Sequence, residues 1–390
     1  MRIPVVASLA VWAVSVSAAW AQFAPFPIED SGGGQANPDV HGTVVVWMEF
    51  RDGDFAVRGK DLATGSTFLI NEPTGTKLHP VTDGTLVVWH DDRSGNPDIY
   101  ARDLQSGQER PLVSHPAAQL DHALDGTFLV WEDGRNCPSN VPSEYTNYEI
   151  YAMDLASGQE FSVCTVGWDQ LNPAISGDII VWQDHRAQFP GFVPTWGRIY
   201  GYDVTTGGEF LIAASSDGVD QVKPAISGNI VVWADMHNGG DIWGYDLDSY
   251  TRFPIHVGPY SQNDVDIDGR YVVWEDWRNG VDTDIWGYDL LTGEEFPIYQ
   301  GPGNQSDPKV SGNLVVWDFP GPGDQDRIWG AYIPEPGCAG LVALALLPCL
   351  AGRRPPRRAP ASSRDKNTGR VPRFSKCTGR PRDNRRTTGT

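Results

Sequence analysis

The chain has 390 residues and a mass of 42.8 kDa, long enough to bury about three-quarters of its unfolded surface in one large domain or two ordinary ones. Hydrophobic residues at 40% and aromatics at 11% exclude a disordered chain, and 15 Trp against 4 Met suit short aromatic strands better than helical bundles. A net charge of −20 argues against a nucleic-acid-binding body, because phosphate binding needs clustered Lys and Arg.

That charge is unevenly spread. From Arg353 onward there are 13 Lys/Arg and 2 Asp/Glu, which leaves 17 basic and 48 acidic residues before it, so a basic tail follows an acidic body. At the other end, residues 1–21 run from Arg2 through an apolar stretch to Ala19-Trp20-Ala21, the pattern of a secretory signal peptide with a small-residue cleavage site. The mature chain is expected to begin near Gln22, outside the cytoplasm. Cys137 and Cys164, both in the third of the repeats described next, are expected to form a disulfide that pins an insertion there.

The body, residues 22–333, is organised by repeats. An apolar run ending in Trp recurs at Trp47, Trp89, Trp131, Trp182, Trp233, Trp274 and Trp317, and a Gly stands five residues before each one. The unit reads as four short strands: one such as Pro173-Ala174-Ile175, a Gly turn, the Trp strand, then Asp-Ile-Tyr or Asp-Ile-Trp (Asp98-Ile99-Tyr100, Asp284-Ile285-Trp286), a Thr-Gly or Ser-Gly turn, and a last strand such as Phe296-Pro297-Ile298. Pro in that last strand suits an edge. A continuous apolar Trp strand needs cover on both faces, as neighbouring blades provide. The pattern predicts an all-β fold, a seven-bladed β-propeller with four antiparallel strands per blade. The seventh repeat stops after its third strand, and Phe26-Pro27-Ile28 lies at the same offset from Trp47 as Phe296 from Trp317, so an N-terminal outer strand is expected to close the ring.

Units of the form N-P-A-I-S-G-x-x-V-V-W-x-D-x-R resemble the TolB-like propeller repeats of exported bacterial proteins, from Phe26 to about Ile333. The resemblance implies the fold. For function it spans periplasmic partner-binding proteins and, in some branches, hydrolases and lyases. After the body, Pro334-Glu335-Pro336, an apolar stretch and Arg353-Arg354 resemble a PEP-CTERM sorting signal (residues 334–358), which implies recognition by an exosortase-type protease, transient membrane anchoring and a place at the cell surface or outer envelope. The apolar stretch is short for a spanning helix and contains Pro348, and residues 359–390 continue as a basic, disordered tail where the family's signal normally ends the chain.

Three patterns bear on a site. An acid two residues after the repeat Trp and an Arg or His four after it (Asp91 and Arg93, Asp276 and Arg278) read as cross-strand salt bridges, since no single blade stands out. A Gln twelve residues before Trp in six repeats, including Gln170 and Gln221, leaves two readings open: blade-to-blade hydrogen bonding or a polar ring that reads a ligand. The third and fourth repeats carry insertions after the Trp strand, residues 136–147 with Tyr145 and residues 187–197 with Phe189, Phe192 and Trp196. Exposed aromatics on long loops suit partner or sugar contacts, so binding is expected to centre on Tyr145, Phe189, Phe192 and Trp196 with Gln170 and Gln221 beneath. The eight His show no metal-binding spacing, there is no nucleophile elbow or phosphate loop, and neither a catalytic residue nor a metal or cofactor is expected. Some TolB-like lyases use His and Gln as metal ligands, which implies that His79 and His122, near the innermost strands of adjacent blades, could approach each other. The expected function is an exported binding or scaffold module for an envelope protein or exopolysaccharide. The rival is an extracellular carbohydrate-active enzyme, a polysaccharide lyase or hydrolase.

Overall fold

The structure is a computed structural model in which residues 23–29, 33–51, 53–71, 75–137, 147–186, 196–214, 218–320 and 326–334 are described. The leader, most of both insertions, Tyr145, Phe189, Phe192, and everything from Glu335 onward, Pro336, Arg353 and Arg354 included, lie outside the described residues. Seven four-stranded antiparallel sheets make a seven-bladed propeller, as the repeats predict. Blade 4 is typical, with strands Gln170–Ser176, Ile179–Asp184, Arg198–Asp203 and Gly208–Ala213 running from the channel to the rim. Its first hairpin pairs Ser176 with Ile179, and Gly177 sits between them at φ 57°, a left-handed conformation open to glycine at little steric cost.

The core lies between blades. Ile180 and Trp182 pack against Val130, Ile150 and Ile175, while Val181 on the opposite face packs against Ile226, Val231 and Trp233. All seven repeat Trp side chains are fully buried in such layers. This is the physical reason the Trp strand shows no polar alternation: each of its faces is an interior. Third-strand glycines set the spacing toward the rim, since a Cβ at Gly244 would meet the Phe253 ring at 2.4 Å.

Closure of the ring also follows the sequence. Phe26–Pro27 pairs with Asp326–Tyr332 as Phe26↔Gly330 and Pro27↔Trp329, and Ile28 N–H donates to Ile328 O at 2.9 Å. Ile28 is 1% exposed and shares a core with Trp47, Leu314, Val316 and Ile328. The N-terminal segment is thereby locked into the seventh blade. The disulfide is a correction: Cys137 and Cys164 are both free. Cys164 is instead buried against the Arg186 guanidinium (Sγ to Nη2 3.3 Å), and burial pushes its thiol up to about 12.

Candidate functional site

The acid–Arg repeat closes within one turn and continues as a salt bridge to the outer strand. In blade 6 Asp276 accepts hydrogen bonds from Trp274 Nε1 (2.8 Å), Arg278 N (2.8 Å) and Arg278 Nε (2.8 Å). Arg278 stacks 3.5 Å over the Trp286 ring of the third strand and reaches Glu295 on the outer strand. Blades 2, 3 and 4 repeat the arrangement with Asp91–Arg93–Tyr100–Glu109, Asp133–Arg135–Tyr151–Glu160 and Asp184–Arg186–Tyr200–Glu209. Blade 5 has His237 in the Arg position, and Arg252 from the outer strand takes over Asp235 at 2.7 Å, stacked on Trp243. The clamp recurs in blades 2 to 6 and ties three strands together in each, which identifies it as framework, while blade 7 has Phe319 in the acid's place.

The glutamines also serve the framework. Gln170 and Gln221 are fully buried, with Nε2 donating to the carbonyls of Trp168 (2.7 Å) and Val219 (3.0 Å). At the closure Gln35 Oε1 accepts from Ile328 N–H of the seventh blade at 3.0 Å. Of the two readings left open by the sequence, bonding within and between blades describes their placement, and the expected ligand-reading role of Gln170 and Gln221 is corrected by their burial.

A different ring faces the channel, two residues further along each inner strand: Asn37, His79, Asp121, Asn172, Lys223, Asp264 and Asp307. Each lies at a β-bulge, and in six of them φ is between 46° and 51°; Asp121 is the other. Bulges re-aim a side chain out of the ladder, and Asn and Asp tolerate the left-handed region best. The channel they line has a volume of about 570 Å³. At several seams the residue after the repeat Trp braces this ring from the preceding blade, though blade 5 carries Ala234 there. Glu132 Oε1 accepts from Asn172 N–H (2.7 Å), Glu275 Oε1 from Asp307 N–H (2.8 Å), and Asp318 Oδ2 from Asn37 N–H (3.3 Å).

The ring has two unlike arcs. On one, His79 Nδ1 lies 3.2 Å from Asp121 Oδ1, the His79 and His90 rings stack at 5.4 Å, and His90 meets His122 edge-on at 4.7 Å. His90 thus bridges the approach of His79 and His122. The Asp121 hydrogen bond raises the affinity of His79 for its proton, whereas burial drives His122 down to about 4 and holds His90 well below the usual range. On the other arc stand Asp264, Glu275, Asp307 and Asp318. Burial and the nearby Asp264 push Glu275 up to about 7, and burial and Asp307 raise Asp318 well above an ordinary carboxylate.

Trp196 is 58% exposed, with Gly218 beneath its indole. The adjoining backbone ties the insertion to the next inner strand, Gln221 N–H donating to Gly197 O at 3.0 Å and Gly197 N–H to Asp220 Oδ1 at 2.5 Å. From Asp220 a side cavity of about 450 Å³ leads past Met236 and Gln183 to Asn172, Lys223 and Asp264 of the ring. The polar ring escaped the sequence reading because its residues differ from blade to blade. The signal that would have found it is positional, the residue two after the repeated Gln, or after Lys77 in the second repeat.

No protein-family model matches the chain, and no curated protein matches it in sequence. Solved structures do resemble it in fold. An oligogalacturonate lyase in complex with manganese superposes with a TM-score of 0.59 at 12% identity, covering 81% of this chain and 99% of that one. The β-propeller domain of the trilobed protease from Pyrococcus furiosus, described as having an open velcro topology, gives 0.59 at 14% identity over 77% and 95%. An acylaminoacyl peptidase from Pyrococcus horikoshii gives 0.57 at 13% identity over 81% of this chain and 54% of that one. At such identities the likeness is one of fold alone, a β-propeller.

Proposed function

We propose that the chain is an exported binding or scaffold propeller, held at the cell surface or envelope, that takes an envelope protein or exopolysaccharide at the insertion-side mouth of its channel. The observation that carries this is the side cavity running from Asp220, beside exposed Trp196, to Asn172, Lys223 and Asp264. Asp220 links the two, since it lines that cavity and its carboxylate takes Gly197 N–H, next to Trp196. Aromatic platforms give contact area, and fixed polar groups give orientation. Export through residues 1–21 and exosortase-type processing after Pro334-Glu335-Pro336 would bring the acidic body to that compartment and remove the basic tail.

Screening the full chain against immobilised glycans and purified envelope proteins should yield a saturable ligand. Trp196→Ala should weaken its binding by more than about 1 kcal/mol while thermal unfolding stays nearly unchanged. Unchanged affinity, or a large loss of stability, would count against the site.

The histidine arc favours a second reading, a carbohydrate-active enzyme, and one fold neighbour is an oligogalacturonate lyase with manganese. The residues fit such a metal poorly at the histidines. Among the described residues, the only group of three or more His, Cys, Asp or Glu ligand atoms within 4.8 Å of one another is Asp264, Glu275 and Asp307, on the opposite arc. Chain shortening of acidic oligosaccharides that is lost in His90→Ala would move the assignment to the enzyme.

A further inference from the structure

The carboxylate arc is built differently from the rest of the channel. Asp264, Glu275 and Asp307 bring one oxygen each to within 4.8 Å of one another. Carboxylate oxygens gathered this closely can share one hard divalent cation, whose preferred ligands are oxygens. Asp318 supplies a second, separate observation. Its side chain is more than nine-tenths buried and its Oδ1 has no hydrogen-bond partner, while Oδ2 is taken by Asn37 N–H. The strongest charge acting on Asp318 is Asp307, and Glu275 also contributes. A buried carboxylate oxygen without a donor is costly unless something positive or protic completes it.

The surrounding groups do not supply that charge. Lys223 pairs with Asp264 from the channel side, and Asn37 Nδ2 donates to Asp307 Oδ2 at 3.2 Å as a neutral amide. Lys309 faces Asp266 and Asp39 first, and Asp307 and Asp264 after them. Four carboxylates therefore face one directly paired lysine, and the adjoining channel gives water access to fill remaining positions.

We infer that Asp264, Glu275 and Asp307, with Asp318 behind them, form a site for one hard divalent cation on the channel wall between blades 6 and 7. The cation would join the two blades through the bulges at Asp264 and Asp307. This inference does not rest on the proposed partner-binding function, since the metal alone is its probe.

The test is calcium titration of the full chain after chelator treatment, followed by thermal unfolding and by sensitised terbium luminescence. Saturation at one ion per chain is expected, in the ~0.1–1 mM range of extracellular calcium modules, with a higher unfolding temperature. Asp307→Asn and, independently, Asp264→Asn should each weaken binding at least tenfold, whereas Asp248→Asn on the rim should bind like the parent. Should Asp307→Asn fail to fold, the Asp264 variant carries the comparison. The absence of saturable binding to the parent chain, or binding by both site variants as tight as the parent's, would each overturn the assignment. So would a gain in stability in Asp307→Asn with no calcium response in the parent, which would mark the arc as mere repulsion moderated by Lys223 and Lys309.

Discussion

Replacing Asp276 by Ala should destabilise the propeller by about 3–5 kcal/mol. Asp276 is fully buried and receives Trp274 Nε1, Arg278 N and Arg278 Nε, each at 2.8 Å, and Arg278 Nη2 at 2.5 Å. The variant leaves the Trp274 N–H buried without an acceptor, at about 1–3 kcal/mol. It also removes one of the two carboxylates that neutralise Arg278. Because Arg278 keeps Glu295 and its stack on Trp286, the charge term should fall below the ~3–5 kcal/mol of a wholly orphaned buried ion. With an unfolding entropy near 2 cal/mol/K per residue and roughly 300 ordered residues, a loss of ~4 kcal/mol lowers the unfolding temperature by about 6 °C. Asp276→Asn keeps shape and acceptor while losing charge, and should fall about half as far. Burial pushes the Asp276 carboxyl up, but bonds from Arg278 and Trp274 outweigh it and hold it below the ordinary 3.8. A depressed folded value means that the stabilisation is complete above the unfolded value and is lost as pH falls through the folded one. The gap between parent and Asp276→Asn, measured by urea unfolding on tryptophan fluorescence, should thus be constant from about pH 5 to 8 and close below about pH 4. A loss under about 1 kcal/mol for Asp276→Ala, or a gap that ignores pH, would refute the clamp's role.

Two further outcomes concern closure and the channel. Ile28→Asp puts a charge into the seam between the first and seventh blades and should cost about 3 kcal/mol or more, exposing a sheet edge that self-associates; light scattering that finds a monomer with unchanged unfolding would contradict it. Glu132 is pushed up to about 8 by burial and then by Asp121. Since the folded chain holds that proton more tightly than the unfolded one, stability should fall as pH rises from about 4.5 to about 8, by at most ~1.4 kcal/mol per pH unit. Glu132→Gln should flatten this slope and match the parent near pH 4, so parallel unfolding curves for the two chains would dismiss it.

What was legible in the sequence was everything that repeats with a fixed offset. Seven Trp strands, their turn glycines and the displaced Phe26-Pro27-Ile28 determined blade number, strand order and closure, because each depends on local turn chemistry and on apolar runs that must be covered on both faces. The clamp was half legible. Its acid and Arg stand at constant spacing, but nothing in the spacing shows that Arg278 folds back on Asp276, stacks on the Trp286 ring and reaches Glu295 on the outer strand.

The tertiary structure alone decided which residues face the channel. Gln170 and Gln221, polar and regularly placed, go into the blade because their amides satisfy carbonyls there. The residue two positions later turns outward because a bulge puts it in a left-handed conformation. Nor does any single repeat contain the carboxylate arc: Asp264 and Glu275 come from blade 6, Asp307 and Asp318 from blade 7, more than 50 residues from first to last. They meet because ring closure sets neighbouring inner strands side by side, a distance constraint that exists only once the blades have packed.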